Sequence, residues 1–384
     1  MIAAVPKETY PGETRVALVP KDVAVLKKAG VDVVVESGAG ASALHSDADY
    51  EKAGARIEPT REKLFAGADT LLALNGPGAN PDFDSTLYAS MKKSAAVIAF
   101  LEPLDHPHVM QRLAEQGLTL LSMELMPRIT RAQSMDALSS MATVSGYHAV
   151  LLAARQSPKM FPMMMTAAGT LKPVKVFVLG AGVAGLQAIA TAKRLGAVVE
   201  GYDIRTAVKE QVESLGAKFV EIKVDVETVE GKGGYAAQQS PEYYKRQQEL
   251  LGEHLATVDV IITTAVVPGR KAPILITDEM TDQLKPGTVL IDMAAERGGN
   301  CAKTQPGETV VHNGAMIVGP VNLPASAPAH ASQMYSKNIT TFLLHLVKEG
   351  NLEIDLEDEI TAGTLVTRDG AVVHERVLAL IKGE

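Results

Sequence analysis

The chain has 384 residues, of which 46% are apolar and 21% charged, the composition of a globular protein with room for two or three domains. Its 37 basic and 45 acidic side chains leave a formal net charge of −8, so bulk charge draws it to neither nucleic acid nor an anionic membrane surface. A single cysteine, Cys301, excludes a disulfide framework or a cysteine-rich zinc site within one chain, and the cytosol is the natural compartment.

The start, M-I-A-A-V-P-K-E, has too short an apolar run for a signal-peptide core. Short apolar strands then alternate with helical stretches, the pattern of α/β domains with mainly parallel sheets. Strands are expected at Ile2 to Val5, Val31 to Glu36, Thr70 to Leu74, Ala96 to Phe100 and Leu118 to Met123. Helices are expected at Pro20 to Ala29, Ser46 to Ala53, Ser85 to Lys92 and Pro107 to Glu115. Together they make one α/β domain, assigned to residues 1–126. From Pro127 to Ala154 a polar stretch reads as a long connector helix, within a connector region 127–160. It carries Arg128, Thr130, Arg131, Gln133, Ser134, Asp136, Ser139 and Ser140, more polar side chains than an inter-domain helix needs. Met163, Met164 and Met165 follow, and read as adaptable packing between domains.

A second α/β domain, residues 161–327, has the clearest strands: Val174 to Leu179, Ala197 to Tyr202, Lys218 to Val220, Val258 to Thr263, Thr288 to Asp292 and Ala315 to Val318. Continuous runs such as Val260-Ile261-Ile262 fit strands buried on both faces. Beyond it, the helix Ser332 to Lys348 and a hairpin around Asp369-Gly370 are too few to stand alone. They are expected to return to the first domain as residues 328–384, so that two Rossmann-like domains result, the first discontinuous. The nearest approach to a membrane span is Val176 to Ala192, which is uncharged but short of the ~20 residues required.

That stretch has a better account. A strand runs into Gly180-Ala181-Gly182-Val183-Ala184-Gly185, then a helix from Leu186 to Leu195, and the next strand ends at Asp203. This is the dinucleotide fingerprint in its proper context, with an acidic residue about 20 positions on. Gly180 permits the tight turn, Gly182 the approach of backbone to a pyrophosphate, and Gly185 close helix–strand packing. The helix N-terminus offers unpaired N–H groups to phosphate oxygens. Asp203 would accept from ribose hydroxyls and repel a 2′-phosphate, which favours NAD(H), although Arg205 could accommodate that phosphate. Gly231-Lys232-Gly233-Gly234-Tyr235 is either a lid or a floppy insertion. Thr264 and Val266, past a strand's carboxyl end, fall near the cofactor. Cys301 reads as structural, and the histidines show no zinc-binding pair, so no metal is expected.

At these residues the chain resembles the NAD(H)-binding alpha-1 subunit, or domain I, of proton-translocating NAD(P) transhydrogenases. The resemblance spans essentially the whole sequence. It is strongest at Pro6-Lys7-Glu8 with Gly12 to Pro20, Met123 to Ser140, Phe161 to Gly169, Gly180 to Ser214 and Thr263 to Pro273, and R-A-Q-S-M-D is its most specific segment. It implies a homodimer on the cytoplasmic side of the membrane, with no transmembrane segment of its own. Membrane-embedded subunits and an NADP(H)-binding beta subunit would be its partners, and hydride would pass directly between two nicotinamides, coupled to proton translocation. By the same resemblance Arg128, Gln133, Asp136 and Ser139 surround the nicotinamide end, with Gln133 the link to the partner nucleotide. Ile129, Thr130, Arg131, Val183, Ala184, Ile204, Gly234, Tyr235, Gln247 and Val266 match nucleotide-contacting positions. Alanine dehydrogenase is a related alternative that shares Arg15. However, Asn75 stands where that enzyme has its substrate lysine and offers no charge, Glu102 stands where it has its histidine and repels a carboxylate when ionised, and Arg15 alone does not make an amino-acid dehydrogenase. A non-catalytic NAD(H)-binding module is a third reading.

Overall fold

The computed structural model describes residues 1–222, 241–266 and 269–383. The chain divides into two compact units, Met1–Met141 with Pro324–Glu384, and Ala142–Leu323. The first unit opens with β1 (Ile2–Val5), α1 (Pro20–Lys28), β2 (Asp32–Glu36), α2 (Asp47–Ala53), β3 (Arg56–Glu58) and α3 (Arg61–Gly67). It continues with β4 (Thr70–Asn75), α4 (Ser85–Ala89), β5 (Ala96–Phe100), α5 (Pro107–Glu115) and β6 (Thr119–Ser122). Local chemistry explains the starts: proline opens α1 and α5, and a capping box between Ser46 and Asp49 opens α2. The six strands are parallel in the order β6-β5-β4-β1-β2-β3. The sequence reading passed over β3 and α3, because R-I-E is a three-residue, partly exposed edge strand without an apolar run.

The stretch from Pro127 is not one helix. Thr130–Met135 forms a 3₁₀ turn, and α6 runs from Ala137 to Gln156. Asp136 sets the boundary: its carboxylate accepts from the Ser139 amide at 2.9 Å and hydroxyl at 2.6 Å, as an N-cap does. Among the described residues α6, rather than Val176 to Ala192, is the one helix long and apolar enough to cross a membrane by length and composition. Its Ala149, Val150 and Ala153 are fully buried in the second unit's core.

After α6 the second unit continues with a two-stranded hairpin, β7 (Met164–Thr166) and β8 (Gly169–Leu171), which the sequence does not announce. Then come β9 (Lys175–Leu179), α7 (Val183–Arg194), β10 (Val198–Tyr202), α8 (Lys209–Ser214) and β11 (Lys218–Phe219). After them follow α9 (Pro241–Leu255), β12 (Val260–Thr263), α10 (Asp278–Asp282), β13 (Val289–Asp292), β14 (Thr309–His312) and β15 (Ala315–Val318). The sheet order is β11-β10-β9-β12-β13-β15-β14, parallel except for β14. Alternate residues face opposite layers: Val176 and Val178 pack with Ala188 and Ile189 of α7, while Phe177 and Leu179 pack with Leu251 and Leu255 of α9. Burial on both faces is why these strands are apolar without alternation. β14 was missed because its pattern is half exposed, although Asn313-Gly314, both in the left-handed region, is a strong hairpin turn.

The last segment rejoins the first unit. It comprises α11 (Pro328–Leu346), the hairpin β16 (Val347–Lys348) and β17 (Asn351–Leu352), α12 (Glu359–Thr364), β18 (Leu365–Arg368), β19 (Ala371–Val372) and α13 (Glu375–Lys382). β18 pairs antiparallel with β6, and β19 completes an eight-stranded sheet. Tyr335, Ile339, Phe342 and Leu343 of α11 are fully buried, and the Tyr335 hydroxyl donates to the Ala73 carbonyl at 2.8 Å. Both units thus carry the strand order of a doubly wound sheet, the first built from two separated pieces of chain.

Candidate functional site

In the second unit the chain reverses direction across the sheet between β9 and β12, the switch point where open parallel sheets bind ligands. Gly180 leaves β9 with φ +100°, and a Cβ there would lie 2.4 Å from the Thr264 hydroxyl oxygen. A Cβ on Gly185 would lie 1.8 Å from the Gly180 carbonyl oxygen. Gly182, at the N-terminus of α7, differs: a Cβ on it would meet nothing within 4 Å. Two glycines are therefore demanded by the protein's own packing, while the third faces open space beside the unpaired amides of a helix start. That is the arrangement a diphosphate requires.

Asp203 closes the turn. Its carboxylate accepts from the Ala181 amide at 2.8 Å and, on both oxygens, from the Arg205 guanidinium at 2.9 Å. Burial pushes the Asp203 carboxyl up, but the Arg205 and Ala181 hydrogen bonds outweigh it and hold the group below its ordinary range. Arg205 is exposed, so its guanidinium is the replaceable partner. Gln247 donates to the Tyr202 hydroxyl at 2.9 Å, next to Asp203. Val183, Ile204 and Val266 follow three adjacent strands and are 44%, 81% and 46% exposed, leaving apolar side chains at the carboxyl ends of those strands. The hydroxyl of Thr264 donates to the Gly180 carbonyl at 3.1 Å, so it braces the turn. Gly234 and Tyr235 lie outside the described residues.

Two features escaped the sequence reading. Gly146 of α6 abuts α7 so closely that a Cβ would lie 2.2 Å from the Ala184 carbonyl oxygen. A lone glycine inside a helix was the available signal. The second is a buried polar hub at the end of β13. Asp292 accepts from the hydroxyls of Thr263 and Thr304 and the amides of Ala294, Asn300 and Cys301. Asn300 in turn bonds the Ala265 amide at 3.0 Å and carbonyl at 2.8 Å, and the Pro273 carbonyl at 2.9 Å. The hub fixes the backbone leading to Val266. Gly298-Gly299, both left-handed, mark it in the sequence. Cys301 is buried there, and burial pushes its thiol up, so it is not an activated nucleophile. Among the described residues no group of His, Cys, Asp and Glu could hold a metal ion.

In the first unit the structure brings Arg128 to Ser139 together at the start of α6. Arg128, Thr130, Arg131 and Gln133 are exposed, Ile129 is half-buried, and Asp136 and Ser139 are joined by the cap described above. Arg131 pairs with Asp358 at 3.0 Å. Of the positions weighed for an amino-acid dehydrogenase, Arg15 and Asn75 meet at one carboxylate, Glu13, while the Glu102 amide donates to Glu124. Arg15 is buried and doubly hydrogen-bonded to Glu13, which also accepts from Asn75 at 2.9 Å. Glu8 accepts from the Leu74 amide at 2.7 Å and the Asn75 amide at 3.2 Å. With the Arg15 guanidinium already engaged by the Glu13 carboxylate, it is not free to receive a substrate carboxylate.

Two family models match the chain with a boundary between residues 145 and 149, and the second runs on across a segment, from Pro324, that belongs to the first structural unit. The model described as "Alanine dehydrogenase/PNT, N-terminal domain" matches residues 4–145, and its C-terminal counterpart matches residues 149–375. The chain is 47% identical over 377 residues to an NAD(P) transhydrogenase alpha subunit of Rhodospirillum rubrum, covering 97% of this chain and 98% of that protein. The chain belongs to the NAD(P) transhydrogenase alpha-subunit family. A crystal structure of transhydrogenase from Sinorhizobium meliloti superposes with a TM-score of 0.87 at 46% identity, covering 97% of this chain and all of that one. Alanine dehydrogenase of Mycobacterium tuberculosis is a more distant relative, 28% identical over 98% of this chain and 96% of that enzyme.

Proposed function

We propose that this chain is the NAD(H)-binding subunit of a proton-translocating NAD(P) transhydrogenase, acting with an NADP(H)-binding beta subunit and membrane-embedded subunits. What carries the reading is the open face of Gly182 between a helix start and Asp203, in a chain nearly half identical over its length to transhydrogenase alpha subunits. The nicotinamide of bound NADH supplies the hydride that reduces NADP⁺ on the beta subunit. The chain's own residues bind, orient and exclude water. The amides at the start of α7 take the pyrophosphate, and Asp203 takes the ribose hydroxyls once Arg205 yields. Val183, Ile204 and Val266 flank the rings. Arg128, Gln133, Asp136 and Ser139 orient the nicotinamide end, with Ile129 and Thr130 beside them. Direct hydride transfer needs no side-chain acid or base, which suits a site made of positioning groups.

The same reading supplies a homodimer on the cytoplasmic face of the membrane. Its support is the β7–β8 hairpin, which pairs with no other strand among the described residues. Met165 and Leu171 on it, and Met163 just before it, are 76%, 50% and 61% exposed, rather than packed in a core. A two-stranded hairpin is marginal alone, and a second copy of the chain is the partner that covers it.

Reconstitution tests the function. The purified chain is mixed with an isolated NADP(H)-binding domain of a transhydrogenase, and hydride transfer from NADH is followed spectroscopically. Transfer should need both proteins and should be lost with Gln133→Asn. Oxidation of NADH by pyruvate and ammonium alone would instead establish the amino-acid dehydrogenase.

A further inference from the structure

The 3₁₀ turn Thr130–Met135, which carries Gln133, has no side-chain hydrogen bond at its N-cap, Ile129. At its ends Ala132 N donates to the Ile129 carbonyl at 3.0 Å, and Asp136 N to that of Gln133 at 3.4 Å. Short i→i+3 turns have poor hydrogen-bond geometry, so orientation must come from outside. Here it comes from the C-terminal segment. The Asn338 side-chain amide of α11, itself 5% exposed, donates to the Ser134 carbonyl at 2.9 Å. Ala132 and Met135 are buried, while Gln133 between them is exposed. Two residues before Gln133, Arg131 reaches Asp358 at 3.0 Å.

Asp358 is not a casual surface partner. Its carboxylate caps α12 through the Ile360 and Thr361 amides at 3.0 and 3.1 Å, and the His345 ring nitrogen of α11 lies 2.9 Å away. Burial pushes its carboxyl up, but the Thr361 amide, Arg131 and His345 outweigh that and hold it well below the usual range. An exposed Arg–Asp pair adds little to stability. A carboxylate fixed by a helix N-terminus and a second helix can nevertheless set where the arginine, and the turn bearing it, stands.

We infer that Asn338 and Asp358 are positioning residues, a clamp by which the C-terminal segment sets the place of Gln133 for hydride transfer. Arg131 then acts through this clamp rather than by touching nucleotide. The inference rests on the reading of Gln133 given above. Because small misplacements of reacting groups cost large factors in rate, loosening the turn should slow transfer without weakening NADH binding to match.

The test uses the full chain with Asn338→Ala, Asp358→Asn and their combination. Asparagine is itself a good N-cap, so Asp358→Asn keeps α12 while removing the charge that holds Arg131. Amide hydrogen exchange over residues 130–136 reads the clamp without reference to catalysis. Hydride transfer in the reconstituted system and NADH affinity by fluorescence titration read its consequence. The double variant should speed exchange of 130–136 by about tenfold or more and slow transfer by a similar factor, with NADH affinity within about twofold. Arg131→Lys should recover part of the rate that Arg131→Ala loses. Unchanged exchange would refute the clamp. Faster exchange with normal transfer, or a rate loss matched by lost affinity, would refute its positioning role. Normal transfer by Gln133→Asn, by contrast, would remove the assigned role of Gln133 while the exchange result still judged the clamp.

Discussion

Gly182 and Gly185 stand three residues apart in one motif, yet their substitution should fail in different ways. A methyl on Gly185 drives into the Gly180 carbonyl, so Gly185→Ala is expected to cost about 1–3 kcal/mol of stability by overpacking. A methyl on Gly182 meets no protein atom and needs no left-handed backbone, so Gly182→Ala should cost under about 1 kcal/mol, the loss of a fair N-cap. The same methyl would occupy the space kept for phosphate, and NADH affinity should fall by about tenfold or more. Urea denaturation and fluorescence titration of both variants separate the effects. A Gly182→Ala chain that binds NADH normally would count against the assignment. These residues were legible in the sequence because each job is local: turn, approach and packing lie within one strand–helix unit, and Asp203 ends the next strand. Asn300 and Asp292 were not, because their partners Ala265, Pro273 and Thr263 lie far along the chain and meet only when the sheet forms.

Among the elements, α6 makes the sharpest case. Replacing Gly146 by alanine should gain about 1 kcal/mol of helix propensity in isolation. Packing reverses the sign, because the added carbon would sit 2.2 Å from a backbone oxygen of α7 that has no rotamer to change. A net loss of roughly 1–3 kcal/mol is expected for Gly146→Ala in urea unfolding, and a stabilised variant would show that α6 and α7 can part cheaply. Elements with strong local signals were read well from sequence. Pro107–Glu115 begins at a proline and Ala96–Phe100 is an unbroken apolar strand. Weak signals failed where the tertiary setting decides: β3 and β14 are short edge strands with exposed positions, and the connector helix was begun too early because Asp136 acts as a cap. The β7–β8 hairpin is exposed in a single chain, which hid it from any rule based on burial.

At the scale of the whole molecule, the buried ionic cluster of the first unit has a pH signature. Burial, with the Glu13 carboxylate, pushes Glu8 up to about 7 from 4.5, against the amides of Leu74 and Asn75. The folded chain therefore keeps a proton that the unfolded chain releases, and stability from this group falls as pH rises from about 4.5 to about 7, then levels. The fall amounts to at most roughly 3 kcal/mol. Denaturation midpoints of wild type and Glu8→Gln should diverge across this window and run parallel above it, and parallel curves throughout would place Glu8 in a wetter setting. The dimer proposed for the β7–β8 hairpin is tested by Met165→Asp, which should leave only monomers in analytical ultracentrifugation where the wild type dimerises, with urea stability of the monomer changed by less than about 0.5 kcal/mol. The discontinuity of the first unit has a consequence for synthesis. Between Met141 and Pro324 the ribosome must make the entire second unit before α11 emerges, which takes roughly 10–40 s at ~5–20 residues per second. During that interval β6 has an unpaired edge, and the place filled by Tyr335 and Phe342 is empty. The nascent chain therefore carries a finished second unit and an unfinished first one, and that open edge is where aggregation, or a chaperone's hold, begins.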